Sequence, residues 1–441
     1  MKITVIGLGY LGTTHAVVMA ELGHDVIGID PDINRVEQLR AGTVPFFEPE
    51  LDDALTAALK RGTLRFETEH PAESAEADLH FLCVGTPERA GTHAANTDYL
   101  FAAIDALAPV VHDGAVVVGK STVPVGTAAL LQARLAEQLA AAGSSATARI
   151  AWNPEFLREG TAVLDSRQPD RIVAGVDDEL SEQRLREVYE PLIAAGSPFV
   201  VLDIPTAELV KVAANAFLAT KISFINAVAE VAEKSGANAS ALAGALGYDE
   251  RIGNKFLKNG LGFGGGCLPK DIHAFMARAD ELGAPSIVEL LGAVDDINTR
   301  RRARVIELAT ASLAGIASPR VTILGASFKP DTDDIRQSPA LDLALDAKAL
   351  GWDVVVHDPI ALDSVRRIHP QLTCIDDVTE AVADSDLVVL ATEWPQYRAL
   401  SAADLVGLVR RPAVIDARNV LDGGAYRAAG WSFASLGTHA G

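Results

Sequence analysis

The fold is decided by the stretch Lys2-Ile3-Thr4-Val5-Ile6-Gly7-Leu8-Gly9-Tyr10-Leu11-Gly12. Its β-branched run predicts a buried strand, its glycines fit G-x-G-x-x-G, and a helix is predicted from His15 to Leu22. A second strand is predicted from Asp25 to Ile29, ending at Asp30. Glycines at this spacing let a pyrophosphate approach the N-terminus of a helix, and an acid at Asp30 accepts hydrogen bonds from ribose hydroxyls. The stretch therefore predicts a doubly wound α/β domain that binds a dinucleotide.

The acid also indicates which dinucleotide binds. Asp30 would repel the 2′-phosphate of NADP, so NAD is the expected cofactor. Arg35 leaves NADP open at this point, although its expected position is beside the adenosine. The plain alternative is a glycine-rich turn with no cofactor.

The strand–helix alternation continues, and hydroxyl side chains follow two of the strands. Strands are predicted at Ala77–Val84 and Ala115–Gly119, and Thr86 and Thr122 lie just beyond them. Open α/β sheets bind ligands at the carboxyl ends of their strands. These threonines are therefore candidate site residues.

A strand at Arg149–Trp152 is followed by two acids that flank an arginine. Glu155 and Glu159 are four residues apart, with Arg158 between them. A solvated helix start would have this composition, but the position after a strand favours groups at a junction between cofactor and substrate.

A long helix is predicted from Thr206 to about Ser235, because this segment contains no proline. Thirty helical residues span about 45 Å, which suits a spine between two domains and a dimer surface. Lys211 and Asn215 are spaced i and i+4 and so share one face. Lys211 lies among apolar residues, where a paired or ligand-facing role is expected.

The second motif is the loop Gly262-Phe263-Gly264-Gly265-Gly266-Cys267-Leu268-Pro269-Lys270-Asp271. Proline favours the first turn of a helix, so Cys267 is predicted beside a positive helix end, with Lys270 nearby. Both features favour a nucleophilic thiolate, and Asp271 is a candidate base or orienter of water. The alternative is a glycine-rich turn with a buried structural cysteine.

A further βαβ block predicts a second doubly wound domain without the dinucleotide fingerprint. Its predicted elements are strand Arg320–Leu324, helix Pro339–Leu350 and strands Asp353–His357 and Leu387–Ala391, and the block ends with the segment Val414–Asn419. Lys329, Arg336 and Arg418 fall at or after its strand ends, where a diphosphate would bind.

Composition narrows the function further. The chain has 441 residues, a net charge of −21 and three cysteines. The charge argues against nucleic acid or an anionic membrane as partner. The cysteines have neither a disulfide framework nor metal-ligand spacing, so no metal is expected. No uninterrupted apolar run spans a bilayer, and the apolar N-terminus is explained by the glycine motif, so a cytoplasmic protein is expected.

These motifs, in this order over nearly the whole chain, resemble the UDP-glucose/GDP-mannose dehydrogenase family. The segments Gln168–Ile172 and Arg251–Lys258 are similar to the branch that takes UDP-glucose. The resemblance implies two Rossmann-like domains joined by a long central helix and an all-α dimerisation segment. The expected division is an NAD-binding domain at 1–200, a central helical domain at 201–300 and a UDP-sugar-binding domain at 301–441. It also implies a homodimer.

The family reaction oxidises the sugar C6 alcohol to a carboxylate with two NAD, through a cysteine thiohemiacetal and a thioester. The resemblance implies Cys267 as nucleophile, Lys211 and Asn215 as stabilisers of the oxyanion, and Asp271, Thr122 and Glu155 as the groups handling water and protons. The residues expected to bind NAD are Gly7, Gly9, Tyr10, Leu11, Gly12, Asp30, Arg35, Thr86, Thr122, Glu159, Lys270 and Arg336. Those expected to bind the nucleotide sugar are Glu155, Phe156, Leu157, Arg158, Glu159, Lys211, Asn215, Arg251, Phe256, Leu257, Lys258, Asn259, Gly260, Gly264, Phe328, Lys329 and Arg418. Arg251 is expected to reach the site of a partner subunit.

The chain departs from the family pattern twice, with Gly266 where serine is common and His357 where tyrosine is usual. Three alternatives stay open. The substrate could be GDP-mannose or a UDP-N-acetylhexosamine. A single-step alcohol dehydrogenase would leave Cys267 without a role. An NAD-binding regulatory protein without catalysis would have no use for the intact Lys211, Asn215, Cys267 and Asp271.

Overall fold

The computed structural model describes residues 1–438, so the last three residues of the predicted domain at 301–441 lie outside the described residues. The chain forms two compact units. The first contains residues 1–214 and 273–282, and the second contains residues 215–272 and the chain from residue 283 onward. Each unit is built around one sheet.

The sheet of the first unit has eight strands: β1 Lys2–Ile6, β2 Asp25–Ile29, β3 Leu64–Glu67, β4 Leu79–Leu82, β5 Val116–Gly119, β6 Arg149–Trp152, β7 Ile172–Gly175 and β8 Phe199–Leu202. Their spatial order is β3-β2-β1-β4-β5-β6-β7-β8. Strands β1 to β6 pair in parallel, in the order of the dinucleotide-binding fold. β7 pairs antiparallel with β6, and β8 runs parallel to β7.

The sheet of the second unit has six strands: β9 Arg320–Leu324, β10 Asp353–His357, β11 Thr373–Cys374, β12 Leu387–Leu390, β13 Ala413–Asp416 and β14 Ser432–Ser435. Their order, β11-β10-β9-β12-β13-β14, repeats the order of β1 to β6 in the first sheet, and every pairing is parallel. The prediction of two doubly wound domains is therefore confirmed.

Eighteen helices are found in the described chain. They are α1 Tyr10–Glu21, α2 Ile33–Arg40, α3 Leu51–Arg61, α4 Asp98–Leu107, α5 Thr127–Ala141, α6 Ala162–Arg167, α7 Glu179–Val188, α8 Glu190–Ala194, α9 Ile204–Ser235, α10 Ala239–Gly247, α11 Leu268–Glu281, α12 Pro285–Ser312, α13 Pro339–Ala349, α14 Leu362–Ile368, α15 Val378–Val382, α16 Pro395–Arg398, α17 Ala402–Leu405 and α18 Gly423–Ala428, with a 3-10 turn at Ala72–Glu76.

Helix α9 confirms the predicted long helix, and it contributes residues to both units. It is also the one described helix that is long and apolar enough to cross a membrane, with a hydropathy of 1.4 over 18 residues. Core helices of soluble proteins pass the same test, and 44% of that window is buried. Lys211 and Lys221 interrupt its apolar sequence, so the indication of a membrane span is weak.

The hydrophobic core of each unit lies on both faces of its sheet. All of β4, β5 and β7 are buried on both faces, as expected when helices cover both sides of a parallel sheet. The second unit has the same arrangement in β12 and β13. The carboxyl ends of these strands are thus the parts of the sheets open to ligands.

Candidate active site

The glycine motif forms a tight turn between β1 and α1. Gly7 has φ +89°, a conformation that side chains disfavour. A Cβ atom at Gly12 would lie 1.8 Å from the Gly7 carbonyl oxygen. Helix α1 begins at Tyr10, earlier than the predicted His15, because the third glycine already lies within its first turn. The turn therefore leaves the helix N-terminus open to an anionic group.

Asp30 is buried at the end of β2 and holds this turn in place. Its Oδ2 accepts the backbone N–H of Leu8 at 2.7 Å, and its Oδ1 accepts that of Asp32 at 2.9 Å. Arg35 donates from Nη1 to the same carboxylate at 2.9 Å. Arg35 is thus placed as a partner of Asp30, and a 2′-phosphate at this position would have to compete with that carboxylate.

Thr86 and Thr122, at the ends of the neighbouring strands, are in direct contact. The Thr86 hydroxyl donates to the carbonyl oxygen of Thr122 at 2.7 Å. Ser121 ties the same two loops together, donating to the carbonyl of Val84 at 2.6 Å. The two threonines predicted from separate strands therefore share one edge of the sheet.

Glu48 is a residue that the sequence reasoning missed. Its buried carboxylate accepts the backbone N–H groups of Gly160 at 2.6 Å and Ala162 at 2.7 Å, and the hydroxyl of Tyr10. It thereby fixes the end of the segment that contains Glu159 to the glycine turn. No local sequence pattern predicts this contact, because Glu48 is 112 residues from Gly160 along the chain.

Lys211 and Glu155 form an ion pair in the first unit. The Lys211 Nζ lies 2.9 Å from the Glu155 Oε1, and their side chains are 6% and 13% exposed. The ammonium is also 5.5 Å from the ring centre of Phe156, whose face carries the Arg171 guanidinium at 3.8 Å. A desolvated lysine in such a pair is held in one position, as an electrostatic catalyst requires.

Behind Glu155 is a small cavity of about 80 Å³, and Lys120 is its buried cation. The Lys120 Nζ donates to Asn153 Oδ1 at 2.8 Å and to the Tyr189 hydroxyl at 3.2 Å. Burial lowers the pKa of Lys120 to about 8. Burial also raises the pKa of the Cys83 thiol to about 12. Lys120 is the second residue near the site that was missed from the sequence, since its partners Asn153 and Tyr189 lie 33 and 69 residues away along the chain.

Lys120 predicts a dependence of stability on pH. Its folded-state pKa of about 8 is below the ordinary lysine value of 10.5, so between pH 8 and 10.5 the unfolded chain binds more protons. Stability should therefore rise between pH 8 and 9 by up to about 1 kcal/mol. Above that window Cys83 contributes the opposite slope. Denaturant unfolding of Lys120→Met should lack the rise, whereas the exposed control Lys60→Met should keep it. Equal slopes in both variants would contradict this account of Lys120.

In the second unit, Cys267 is exposed and immediately precedes α11, as predicted. The Asp271 N–H donates to the Cys267 carbonyl at 2.9 Å, closing the first helical turn. The Asp271 carboxylate is almost fully buried, and it accepts hydrogen bonds from Asn215 Nδ2 at 2.6 Å and from Lys270 Nζ at 2.7 Å. The alternative prediction, a buried structural cysteine, is wrong, because the Cys267 thiol is exposed at the N-terminal end of α11.

The glycines of this loop are required by close packing. A Cβ atom at Gly264 would lie 2.1 Å from the Gln337 carbonyl oxygen, and one at Gly265 would lie 2.8 Å from the Phe328 ring. At Gly266 it would lie 2.4 Å from the Arg336 guanidinium carbon. A serine at 266 would therefore displace the end of a flexible arginine. That arginine donates to Asp334 at 2.9 Å.

Arg418 lies at the carboxyl edge of the second sheet, and its donors bind backbone carbonyls. It donates to Ala391 at 2.7 Å, to Gly262 at 2.8 Å and to Phe328 at 3.4 Å. It thus ties the cysteine loop to the sheet. Lys329 lies 5.6 Å from the Phe328 ring centre, at the same edge.

The stretch Phe256–Gly260, which is predicted to bind the nucleotide sugar, contains both buried and exposed residues. Leu257 and Asn259 are buried, and Asn259 donates to the Leu436 carbonyl at 3.0 Å. Phe256 and Lys258 are exposed, and Phe256 has φ +59°. The remaining residue, Gly260, donates from its N–H to Asn226 at 2.8 Å. The stretch is therefore anchored at its buried positions and open at the others.

Arg251 and His357 lie in opposite environments. Arg251 is 88% exposed in its side chain and pairs with Asp249. His357 is buried, and its Nδ1 lies 2.7 Å from the Tyr397 hydroxyl; burial lowers its pKa. The departure at 357 is thus accommodated inside the core.

The predicted site residues fall into two sets, each within one unit. The first unit holds Gly7, Gly9, Tyr10, Leu11, Gly12, Asp30, Arg35, Thr86, Thr122, Glu155, Phe156, Leu157, Arg158, Glu159 and Lys211. The second holds Asn215, Arg251, Phe256, Leu257, Lys258, Asn259, Gly260, Gly264, Cys267, Lys270, Asp271, Phe328, Lys329, Arg336 and Arg418. Lys211 and Asn215 remain one helical turn apart on α9.

Comparison with known proteins matches three segments of the chain to one family. Residues 1–193 match the NAD binding domain of the UDP-glucose/GDP-mannose dehydrogenase family, residues 205–300 its central domain and residues 322–423 its UDP binding domain. The chain is 40% identical to the UDP-glucose 6-dehydrogenase of Rhizobium meliloti, with 99% of each chain covered. It is 39% identical to UDP-glucose 6-dehydrogenase YwqF of Bacillus subtilis, covering 100% of this chain and 98% of the relative.

Solved structures agree with this result. The UDP-glucose dehydrogenase of the archaeon Pyrobaculum islandicum superimposes with a TM-score of 0.88 at 37% identity, covering 98% of this chain and 96% of that chain. The UDP-D-ManNAc dehydrogenase of Pyrococcus horikoshii gives a TM-score of 0.86 at 25% identity, with full coverage of both chains. Because domains, order and sequence all correspond over essentially the full length, the chain belongs to the UDP-glucose/GDP-mannose dehydrogenase family.

Proposed function

We propose that this chain is an NAD-dependent UDP-glucose 6-dehydrogenase, which oxidises UDP-glucose to UDP-glucuronate. The observation that carries the proposal is the exposed Cys267 at the N-terminus of α11, one turn before the buried Asp271. A single-step alcohol dehydrogenase has no need of such a thiol. The names of full-length relatives at 39–40% identity support UDP-glucose as the substrate.

The proposed reaction consumes one sugar, two NAD and one water, and yields the carboxylate, two NADH and three protons. Bound NAD supplies the hydride acceptor for both oxidations. In the first oxidation the C6 alcohol loses its proton through the groups that handle water and protons, namely Thr122, Glu155 and Asp271. An aldehyde gives up a hydride readily only after a nucleophile adds to it, so Cys267 adds to the C6 carbon.

The cysteine adduct then carries the reaction to the acid. Oxidation of the thiohemiacetal leaves a thioester on Cys267, and water cleaves it to release the carboxylate and restore the thiol. Each addition places negative charge on the C6 oxygen. Lys211 and Asn215 are proposed to stabilise that charge, because a fixed ammonium and an amide N–H are suitable donors. Asp271, held by Asn215 and Lys270, is proposed to orient the water.

The remaining predicted residues keep their proposed binding roles. The glycine turn, Asp30 and Glu159 would hold NAD in the domain at 1–200. Lys329 would meet the nucleotide sugar in the domain at 301–441, with the central segment at 201–300 supplying the catalytic cysteine. Arg418 supports the position of Cys267 indirectly, since it donates to the carbonyl of Gly262, where the cysteine loop begins.

A panel of nucleotide sugars tests the proposal. UDP-glucose, UDP-N-acetylglucosamine, UDP-N-acetylmannosamine and GDP-mannose are each offered with NAD or NADP, and NADH and remaining sugar are measured together. UDP-glucose with NAD should give the highest kcat/KM and two NADH per sugar. A higher kcat/KM with another sugar would refute the substrate, one NADH per sugar would refute the two-step chemistry, and no turnover would favour a regulatory protein. The relative from Pyrococcus horikoshii makes the UDP-N-acetylhexosamine alternative the one to exclude first.

We also infer a soluble cytoplasmic homodimer, formed through the second-unit part of α9. Phe217, Phe224 and Val231 are 66%, 54% and 65% exposed. Their spacing of seven residues places them on one stripe of the helix, and solvent exposure of such a stripe is costly. A second copy of this chain would cover it.

The double variant Phe217→Glu/Phe224→Glu is expected to be monomeric, because two carboxylates would be desolvated in the interface. Light scattering after size-exclusion chromatography measures the mass directly. Leu350→Glu is the matched control, since this leucine is 55% exposed but lies outside α9. A double variant that keeps the mass of the parent protein would show that this stripe does not form the interface.

A further inference from the structure

A cluster of metal-ligand side chains in the first unit is used by none of the proposed chemistry. It consists of Glu88, His93 and His273, whose ligand atoms all lie within 4.8 Å of one another. Glu88 and His93 come from the loop 88–96, and His273 comes from α11. The His273 Nδ1 lies 2.7 Å from the Glu88 Oε1, and the ring centres of His93 and His273 are 4.4 Å apart.

The loop is built as a short hairpin that directs two of these side chains to one side. Glu88 forms an antiparallel bridge with Ala95, and the Arg89 N–H donates to the Ala94 carbonyl at 2.8 Å. The Asn96 N–H closes the base of the hairpin by donating to Pro87 at 2.7 Å. His93 lies two residues before Ala95, in the bend that joins the two sides of the hairpin.

We propose that Glu88, His93 and His273 form a binding site for a divalent transition metal of the zinc class. Zinc sites in proteins can be built from two imidazoles and one carboxylate, and water then occupies the fourth coordination position. Magnesium and calcium prefer all-oxygen sites, so they do not fit this donor set. In a tetrahedral zinc site with bonds of about 2.0–2.2 Å, neighbouring ligand atoms are about 3.3 Å apart. The cluster reaches that spacing if the hydrogen-bonded pair opens slightly and His93, which is exposed, moves inward.

The position of the site indicates what the metal would do. The hairpin directly follows Thr86, and His273 lies two residues after Asp271 on the same helix. A metal ion would therefore cross-link the loop after β4 to the helix that follows the catalytic cysteine. Without metal, the contact between Glu88 and His273 is one hydrogen bond at a half-buried position, which is a weaker tie.

Zinc binding is measured by equilibrium dialysis and calorimetry, on protein prepared without a polyhistidine tag and stripped with a chelator. The Cys267→Ala background removes the exposed thiolate as a competing ligand. One equivalent of Zn²⁺ should bind per chain, and the Co²⁺ form should show the ligand-field bands of a four-coordinate site. His93→Gln and His273→Gln should each weaken binding by at least about tenfold, since even outer-shell changes cost that much. The control His369→Gln, in the second unit, should bind as the parent does.

Two results would overturn the proposal. One is the absence of stoichiometric binding in the parent. The other is binding that His93→Gln leaves unchanged, which would place the metal elsewhere. Because His93 is exposed, its variant is expected to fold, and its melting temperature without metal checks this. Neither outcome bears on dehydrogenase activity, so the metal site and the proposed function are tested separately.

Discussion

Replacing Lys211 with alanine is expected to lower kcat by about 10²–10³-fold, because it removes a charged donor from the developing oxyanion. The parent lysine is 6% exposed and paired with Glu155, so its charge acts in a poorly hydrated environment. In such an environment an electrostatic interaction is stronger than in water. Steady-state kinetics with UDP-glucose and NAD measure the effect.

The KM values separate this role from substrate binding. A group that acts only on the transition state changes kcat and kcat/KM equally, whereas uniform binding changes KM alone. If the Lys211→Ala variant had a higher KM for UDP-glucose and an unchanged kcat, the oxyanion role would therefore be refuted. Lys211→Arg should recover part of the activity, since it keeps the charge in a different geometry.

Folding must be checked in the same variant, since Glu155 would be left as an unpaired, poorly exposed carboxylate. Lys221→Ala is the matched control on the same helix. Lys221 donates to the Ile252 carbonyl at 2.9 Å and has no proposed role in the chemistry. Thermal unfolding of both variants, measured beside the kinetics, distinguishes a lost catalyst from a lost fold.

The sequence was most informative where one local pattern determines structure. Strands β1, β2, β6, β9 and β10 have the predicted bounds, because each is a short apolar run ended by a glycine, an asparagine or a charged residue. The helix after Cys267 was predictable for a similar reason, from Pro269 and the glycines before it. Such signals lie within about ten residues of the feature they specify.

Features that depend on distant residues were not predictable. Strands β3, β7, β8, β11 and β14 were missed. The antiparallel pairing of β7 with β6 was also missed, and it involves one residue pair, Trp152 and Gly175. Glu48 is an ordinary acid in sequence and becomes a support of the site only through contacts more than 100 residues away. Lys120 was not identified from the sequence, since its burial depends on the packing of Asn153 and Tyr189.

The second domain shows why the absence of a fingerprint was a useful signal. Asp358 follows β10 as Asp30 follows β2, and each carboxylate accepts one amide of the turn after the first strand, Leu8 N–H for Asp30 at 2.7 Å and Ala326 N–H for Asp358 at 2.8 Å. Asp358 also accepts the N–H and the hydroxyl of Ser327, each at 3.0 Å. A side chain thus occupies a second loop amide in the second domain, at the position where the first domain has Gly9. The second sheet repeats the strand order of β1 to β6, so the loops after the strands, rather than the strand order, distinguish the two domains.

Cys267→Ala is expected to have the largest effect. Without the thiol the aldehyde cannot be captured as a thiohemiacetal, so net four-electron oxidation should fall by several orders of magnitude, of the order seen when a catalytic nucleophile is removed. The parent should form two NADH per sugar without releasing free aldehyde. Stopped assays for NADH and for aldehyde, with a trapping amine, measure both quantities.

Cys267→Ser separates capture of the aldehyde from release of the acid. A serine could still add slowly at C6, but the resulting oxygen ester is a poorer acyl donor than a thioester, so hydrolysis should stall with the sugar bound. Intact-mass spectrometry after mixing with UDP-glucose and NAD should then show an adduct near the mass of the sugar nucleotide. If Cys267 were only a structural residue, the alanine variant would still yield two NADH per sugar, at a rate that follows its folded fraction. Because Cys267 is exposed, little loss of folded protein is expected, so normal stoichiometry and rate in that variant would remove the cysteine and the two-step oxidation together.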